Sequence, residues 1–142
     1  MPLTSQEKRS RLESVPLFRD CSSEVLDRLA DVTTEFEFAA DAPIVRQGQV
    51  GNGLYVVVSG GARIVAGSEE LARIGPGDFF GELSVIDQQP RSASAIADGE
   101  TVCLALASWD LIAVMEQDAH LAINLLKELA GRLRRADEQL RH

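Results

Sequence analysis

Hydrophobic positions along this chain repeat with two different periods, and the change between them divides it into three parts. Near the N-terminus the repeat is helical. Val25, Leu26 and Leu29 stand at the spacing of one buried stripe, with Ser22 or Ser23 placed to cap it. Ahead of them Thr4-Ser5-Gln6-Glu7 has capping-box spacing and predicts a short helix to about Ser14, which Val15-Pro16-Leu17-Phe18 breaks. From Thr34 the period becomes two. Phe36 and Phe38 alternate with Glu35 and Glu37, which predicts both phenylalanines inward as core. Short apolar runs follow at Ile44-Val45, Leu54 to Val58, Ala62 to Ala66, Leu71 to Ile74, Ala93 to Ile96 and Thr101 to Leu106. Many short strands punctuated by glycine turns predict a β-sandwich or β-roll rather than a parallel sheet.

The glycine clusters Gly51-Asn52-Gly53 and Gly60-Gly61 lack a following Lys-Ser/Thr pair or long helix, so they read as hairpin turns and not as phosphate loops. The helical period returns near Ser108. That serine is expected to cap a helix through Met115, with Asp110 in its first turn and Trp109 anchoring it against the strands. Asp118 is placed to cap a last helix running to about Leu140. Within it Ala122, Leu126, Leu129, Leu133, Ala136 and Leu140 are spaced 4, 3, 4, 3 and 4 apart. That is a heptad seam, which favours helix–helix pairing and hence a homodimer through this helix. The alternative, a single apolar stripe packed on its own domain, is the less favoured of the two.

Composition narrows the function. A chain of 142 residues is one domain by size. Its formal net charge of −8 argues against direct nucleic-acid binding, which needs a basic surface. The chain also ends soon after the seam, leaving no stretch for a helix-turn-helix. Cys21 and Cys103 have no close spacing and apolar neighbours, so they read as buried free thiols of a cytoplasmic protein. Residues 1 to 14 make no signal peptide, and no apolar run approaches the roughly 18 residues of a membrane span. His120 and His142 are the only histidines. Neither a metal cluster nor a nucleophile elbow can be assembled, so the chain reads as a binder without a cofactor and not as an enzyme.

The densest chemistry lies between Gly75 and Ala97. Gly75-Pro76-Gly77-Asp78 fixes a tight reversal, and two aromatics lead to Gly81, where the absent side chain permits a close backbone approach. Glu82 follows, then Leu83 to Ile86, which can form one helical turn before Pro90 and Arg91. The start of a short helix offers N–H groups to an anion, and Arg91 offers a planar fork of donors. Glu82 suits a sugar hydroxyl. On spacing alone Glu82 and Arg91 serve equally well as a structural ion pair across a loop.

The runs Phe80-Gly81-Glu82-Leu83-Ser84 and Pro90-Arg91-Ser92-Ala93-Ser94 resemble the phosphate-binding cassette of cyclic nucleotide-binding domains. Gly48, the strand Leu54 to Val58, Gly60 and Gly75 also fall where that family has turn glycines and a core strand, and the likeness runs from about Leu12 to the last helix. It implies an α+β fold: an eight-stranded antiparallel β-roll (a jelly roll) spanning 32–107, with its cassette at 79–94. Helices at 1–31 and a helix pair at 108–142 would flank it. It also implies a regulatory sensor for cAMP or cGMP acting on an effector protein that the sequence does not name. In that family pattern Arg91 pairs with the cyclic phosphate and Glu82 accepts from the ribose 2′-hydroxyl. Gly81 and the N–H groups of Leu83 and Ser84 face the ribose phosphate, and Ser92 and Ala93 add a hydroxyl and an N–H. Ser84 departs from the alanine frequent at its position. Ser92 leans toward cAMP without excluding cGMP. The competing expectation is an interaction module of the same fold whose pocket is empty or holds another ligand.

Overall fold

A computed structural model describes residues 2–51, 53–81 and 86–140, the side chains of 139 and 140 excepted. Helix α1 (Ser5–Glu13) begins at a closed capping box: Thr4 Oγ1 accepts from Glu7 N–H at 3.1 Å, and Glu7 Oε1 accepts from Thr4 N–H at 3.1 Å. A 3-10 turn (Pro16–Phe18) follows, then α2 (Ser23–Val32), whose cap is Ser22, accepting from Val25 N–H at 3.2 Å. Val25, Leu26 and Leu29 are buried, as their spacing requires.

Eight strands follow among the described residues. They are β1 (Thr34–Phe38), β2 (Pro43–Val45), β3 (Gly53–Ser59), β4 (Ala62–Ala66), β5 (Glu69–Ile74), β6 (Phe79–Phe80), β7 (Ser94–Ala97) and β8 (Thr101–Ala107). They form two antiparallel sheets, ordered β1-β8-β3-β6 and β2-β7-β4-β5. Consecutive strands therefore switch sheets repeatedly, and this corrects the hairpin reading of two glycine clusters. Gly60-Gly61 joins β3 in one sheet to β4 in the other, so it is a corner. Gly60 takes φ +77°, and a side chain there would meet the Glu100 carbonyl. Thr101 locks the corner, its hydroxyl donating to Gly61 O at 2.9 Å and accepting from Gly61 N–H at 3.2 Å. Gly51 and Gly53 stand where the chain crosses from β2 to β3, again between sheets.

Two cores result. The larger lies between the helices and the outer face of the first sheet, where Leu12, Leu17, Phe18, Leu29, Leu111 and Leu121 meet Leu54, Val56, Phe79, Leu104 and Leu106. The smaller lies inside the roll around Val57, Ala62, Phe80, Ala95 and Cys103. Phe38 packs against it, but Phe36 does not join it and is 44% exposed. The alternation set its face correctly, since Phe36 lies opposite Cys103 in register. β1 is an edge strand with one neighbour, so that face is poorly covered at Phe36. The strand Phe79–Phe80, two residues long, was too short for a pattern to announce.

Helix α3 (Ser108–Gln117) starts one residue earlier than a Ser108 cap requires. Ala107 is the cap residue, and Ser108 is buried in the first turn with Leu111 and Val114. Trp109, one position off that stripe, turns outward and is 64% exposed, so it does not anchor the helix. Helix α4 (Ala119–Leu140) begins after Asp118, which accepts from His120 N–H at 3.0 Å and from Ser22 N–H at 3.2 Å. Leu121 and Leu125 are buried against the domain, and Leu129 packs partly on the same core. Ile123, Leu126 and Leu133 are exposed.

Candidate ligand-binding site

The reversal at Gly75–Asp78 aims the chain into the cassette. Pro76 and then Gly77 at φ +90° make a type II turn, closed by Asp78 N–H donating to Gly75 O at 3.0 Å and tied by Gly75 N–H to Asp78 Oδ2 at 2.9 Å. β6 then brings Phe79 outward to the helix-side core and Phe80 inward to the roll. Phe80 stacks on Tyr55 with ring centroids 5.4 Å apart and planes 6° apart. Gly81 follows at φ +91°.

On the far side of the cassette, Pro90 and Arg91 are stapled to the loop that precedes β3. Arg91 N–H donates to Gln49 O at 2.9 Å and Gly48 N–H donates to Arg91 O at 2.8 Å, while Val50 and Pro90 form a β-bridge. Gln47 N–H donates to Ser94 Oγ at 2.8 Å, and the Gln47 side-chain oxygen accepts from Gly67 N–H at 2.8 Å. The backbone at Arg91 is thereby fixed, and its side chain runs inward beneath the loop. Arg91 is 8% exposed. Its Nη2 donates to Gly53 O at 3.1 Å, and its Cζ lies 6.0 Å from the centre of the Tyr55 ring.

Two glycines make room for this guanidinium. A Cβ on Gly81 would stand 2.6 Å from Arg91 Nη1 and 2.9 Å from Gly53 O, and one on Gly51 would fall on the guanidinium itself. An arginine keeps its charge throughout the working pH range. The result is a buried, permanently positive centre in a chain of net charge −8. Chemically it can hold one small anion.

Of the residues expected at the site, Gly81 and Arg91 are brought together. Ser92 is exposed and Ala93 half-buried in the bend between Arg91 and β7. Glu82, Leu83 and Ser84 lie outside the described residues. The sequence reading missed Gly51, the Gly53 carbonyl and Tyr55. On α4, Arg132 is half-buried. Its Cζ lies 4.9 Å over the Phe79 ring, and Nη2 donates to Phe79 O at 3.4 Å. Arg134 and Arg135 are exposed.

Other features stand apart from the cassette. A cleft of about 360 Å³ opens beside the 3-10 turn, lined by Glu13, Val15, Phe18, Arg19, Cys21 and Leu26 among others. Cys21 and Cys103 are free thiols, the first only half-buried and the second buried. Among the described residues no three His, Cys, Asp or Glu gather as metal ligands, and no helix is long and apolar enough to cross a membrane.

A family model described as the cyclic nucleotide-binding domain matches residues 35–118. The chain belongs to that family. Those residues span β1 to Asp118 at the end of α3, so the cyclic nucleotide-binding domain fold accounts for both sheets and α3. The chain is 38% identical over 134 residues to the cyclic AMP receptor protein of Thermus thermophilus, covering 91% of this chain and 62% of that protein. It is 32% identical over 100 residues to a cGMP-dependent protein kinase of Toxoplasma gondii, 70% of this chain but 10% of the kinase. Among solved structures, the regulatory domain of Toxoplasma gondii PKA with cAMP superposes with a TM-score of 0.80 at 28% identity, over 90% of this chain and 50% of that one. The chain thus spans less than two thirds of these relatives, and what it shares with them is the cyclic nucleotide-binding part. The jelly-roll expectation holds in both sheets.

Proposed function

We propose that this chain binds a 3′,5′-cyclic nucleotide, cAMP in preference to cGMP, and reports it by shifting its terminal helices. The observation that carries the reading is Arg91: a buried cation seated between Gly81 and the loop before β3, inside a family whose ligand is a cyclic phosphate. In this reading the guanidinium pairs with the cyclic phosphate and Glu82 accepts from the ribose 2′-hydroxyl. The N–H groups of Leu83 and Ser84 meet the phosphate end, with Ser92 and Ala93 completing the wall. Ser92, rather than threonine, supports the cAMP preference. Among the described residues no three His, Cys, Asp or Glu gather as metal ligands, and we read the domain as a non-enzymatic sensor of the cytoplasm.

The route from pocket to helices runs through β6. Gly81 touches Arg91, and two residues earlier Phe79 carries Arg132 of α4 on its ring and carbonyl. Ligand capture at Arg91 therefore acts on the residue that holds α4, and ligand shifts the helix equilibrium by its differential affinity for the two arrangements. The exposed Ile123, Leu126 and Leu133 give α4 an apolar face turned away from its own domain, which supports pairing with a second copy. The relatives named above divide between a receptor protein and kinases, so the effector lies in whatever the sensor is attached to or meets.

Arg91→Leu tests the pocket. Removing one partner of a desolvated charge pair costs about 2–5 kcal/mol, so nucleotide-stripped variant protein is expected to lose most of its affinity for cAMP in a calorimetric titration while still melting cooperatively. A folded variant that binds as tightly as the parent would remove Arg91 from the site.

A further inference from the structure

Gly51 has no conformational reason to be glycine. It is absent from the positive-φ residues, unlike Gly48, Gly60, Gly67, Gly77, Gly81 and Gly99, so an alanine could adopt its backbone. What occupies its Cβ position is Arg91. The three atoms nearest a Cβ built there are Nη2, Cζ and Nε, all of the guanidinium, which lies flat on the glycine. The contrast with Gly81 is instructive. There a side chain would meet the Gly53 carbonyl as well as Arg91, and the backbone is left-handed, so two independent strains forbid it.

We propose that Gly51 is the floor of a slot in which Arg91 is stowed when no ligand is bound, and that this slot sets the domain's affinity. The proposal rests on the reading of Arg91 as the phosphate ligand. In the slot the arginine is 8% exposed, its Nη2 is committed to Gly53 O at 3.1 Å, and its face lies against Tyr55 at 6.0 Å. An anion reaches little of it in that pose. Binding therefore requires the guanidinium to leave Gly53 O and turn to the ligand, and the apparent affinity is reduced by the fraction of molecules in which it has done so.

An alanine at 51 closes the slot. The backbone of Arg91 is pinned through Gln49 and Gly48, so the long side chain is what yields, and it yields by swinging out. The stowed pose loses population and the presented pose gains it. Gly51 is thus a positioning residue, acting on the ligand only through Arg91.

The test titrates the nucleotide-stripped full chain and its Gly51→Ala variant with cAMP, and follows Arg91 Nε–H exchange by NMR in both ligand-free proteins. Tighter binding by the variant, about three- to tenfold if a minor fraction of the parent is presented, is the expected result. It should come with faster Nε–H exchange and an unchanged melting profile. Equal or weaker binding by a folded variant would overturn the proposal, as would unaltered Nε–H exchange. Should Gly51→Ala not fold, the parent alone decides. Its Arg91 Nε–H must exchange slowly when free and shift on saturation with cAMP, and an Nε–H signal that ligand leaves unmoved would sink the slot. A parent that binds no cyclic nucleotide would instead fail the proposed function, and the exchange comparison would then judge the slot by itself.

Discussion

Arg91 draws its importance from being both charged and enclosed. A surface arginine in an acidic protein exchanges ion pairs with its neighbours at little gain. A buried one must be placed by the fold, here through backbone bonds to Gln49 and Gly48 and a floor of glycines. Gly81 and Arg91 were legible in the sequence because each is the residue type the chemistry needs at that point. Gly51 was not, because its reason lies with a side chain forty positions later and nothing local distinguishes it from a turn glycine. The two thiols give a prediction at the same scale. Burial pushes Cys103 up to about 12; Cys21 is pushed to about 11 by burial, with Asp118 and Asp20 adding to it. At pH 8 only about one Cys21 in a thousand is a thiolate. Both cysteines should react with a disulfide reagent far more slowly in native protein than after unfolding. Rapid labelling of Cys103 under native conditions would show that the roll opens.

Among the elements, α4 carries the most. Its sequence shows one heptad seam, and the structure splits that seam between two partners. Leu129 goes to the domain's own core, while Leu126 and Leu133 stand 65% and 71% exposed. The period predicted that the helix would bury a stripe. It did not predict that Leu121 and Leu125, off the seam, would be the ones packed inward. Trp109 failed for a similar reason, since a large apolar side chain says nothing about which side of the buried stripe it flanks. Phe36 shows the same limit in a strand, where alternation gives the face and sheet position gives the depth. The outward face of α4 can be tested without harming the core. Leu126→Glu combined with Leu133→Glu should leave the melting temperature of the monomer unit nearly unchanged and shift sedimentation from dimer to monomer. If parent and double variant sediment alike, α4 is not the pairing surface.

For the whole molecule, the decisive arrangement is that two cores meet at β3 and β6. The helix-side core holds Leu54, Val56 and Phe79, and the roll core holds Val57 and Phe80. Adjacent residues of one strand thus touch the helices on one side and the pocket wall on the other, and Arg132 rests on that junction. The strand-and-glycine pattern announced the roll, and the cassette residues announced its family. The sheet switching at Gly51–Gly53 and Gly60–Gly61 was hidden, because a corner and a hairpin use the same residues. The central claim is that this pocket takes a cyclic phosphate, and it is tested most directly by calorimetric titration of stripped protein with cAMP, cGMP and 5′-AMP. Saturable binding of cAMP, weaker binding of cGMP and none of the linear nucleotide is the predicted result. Heat changes no larger for either cyclic nucleotide than for 5′-AMP would contradict it.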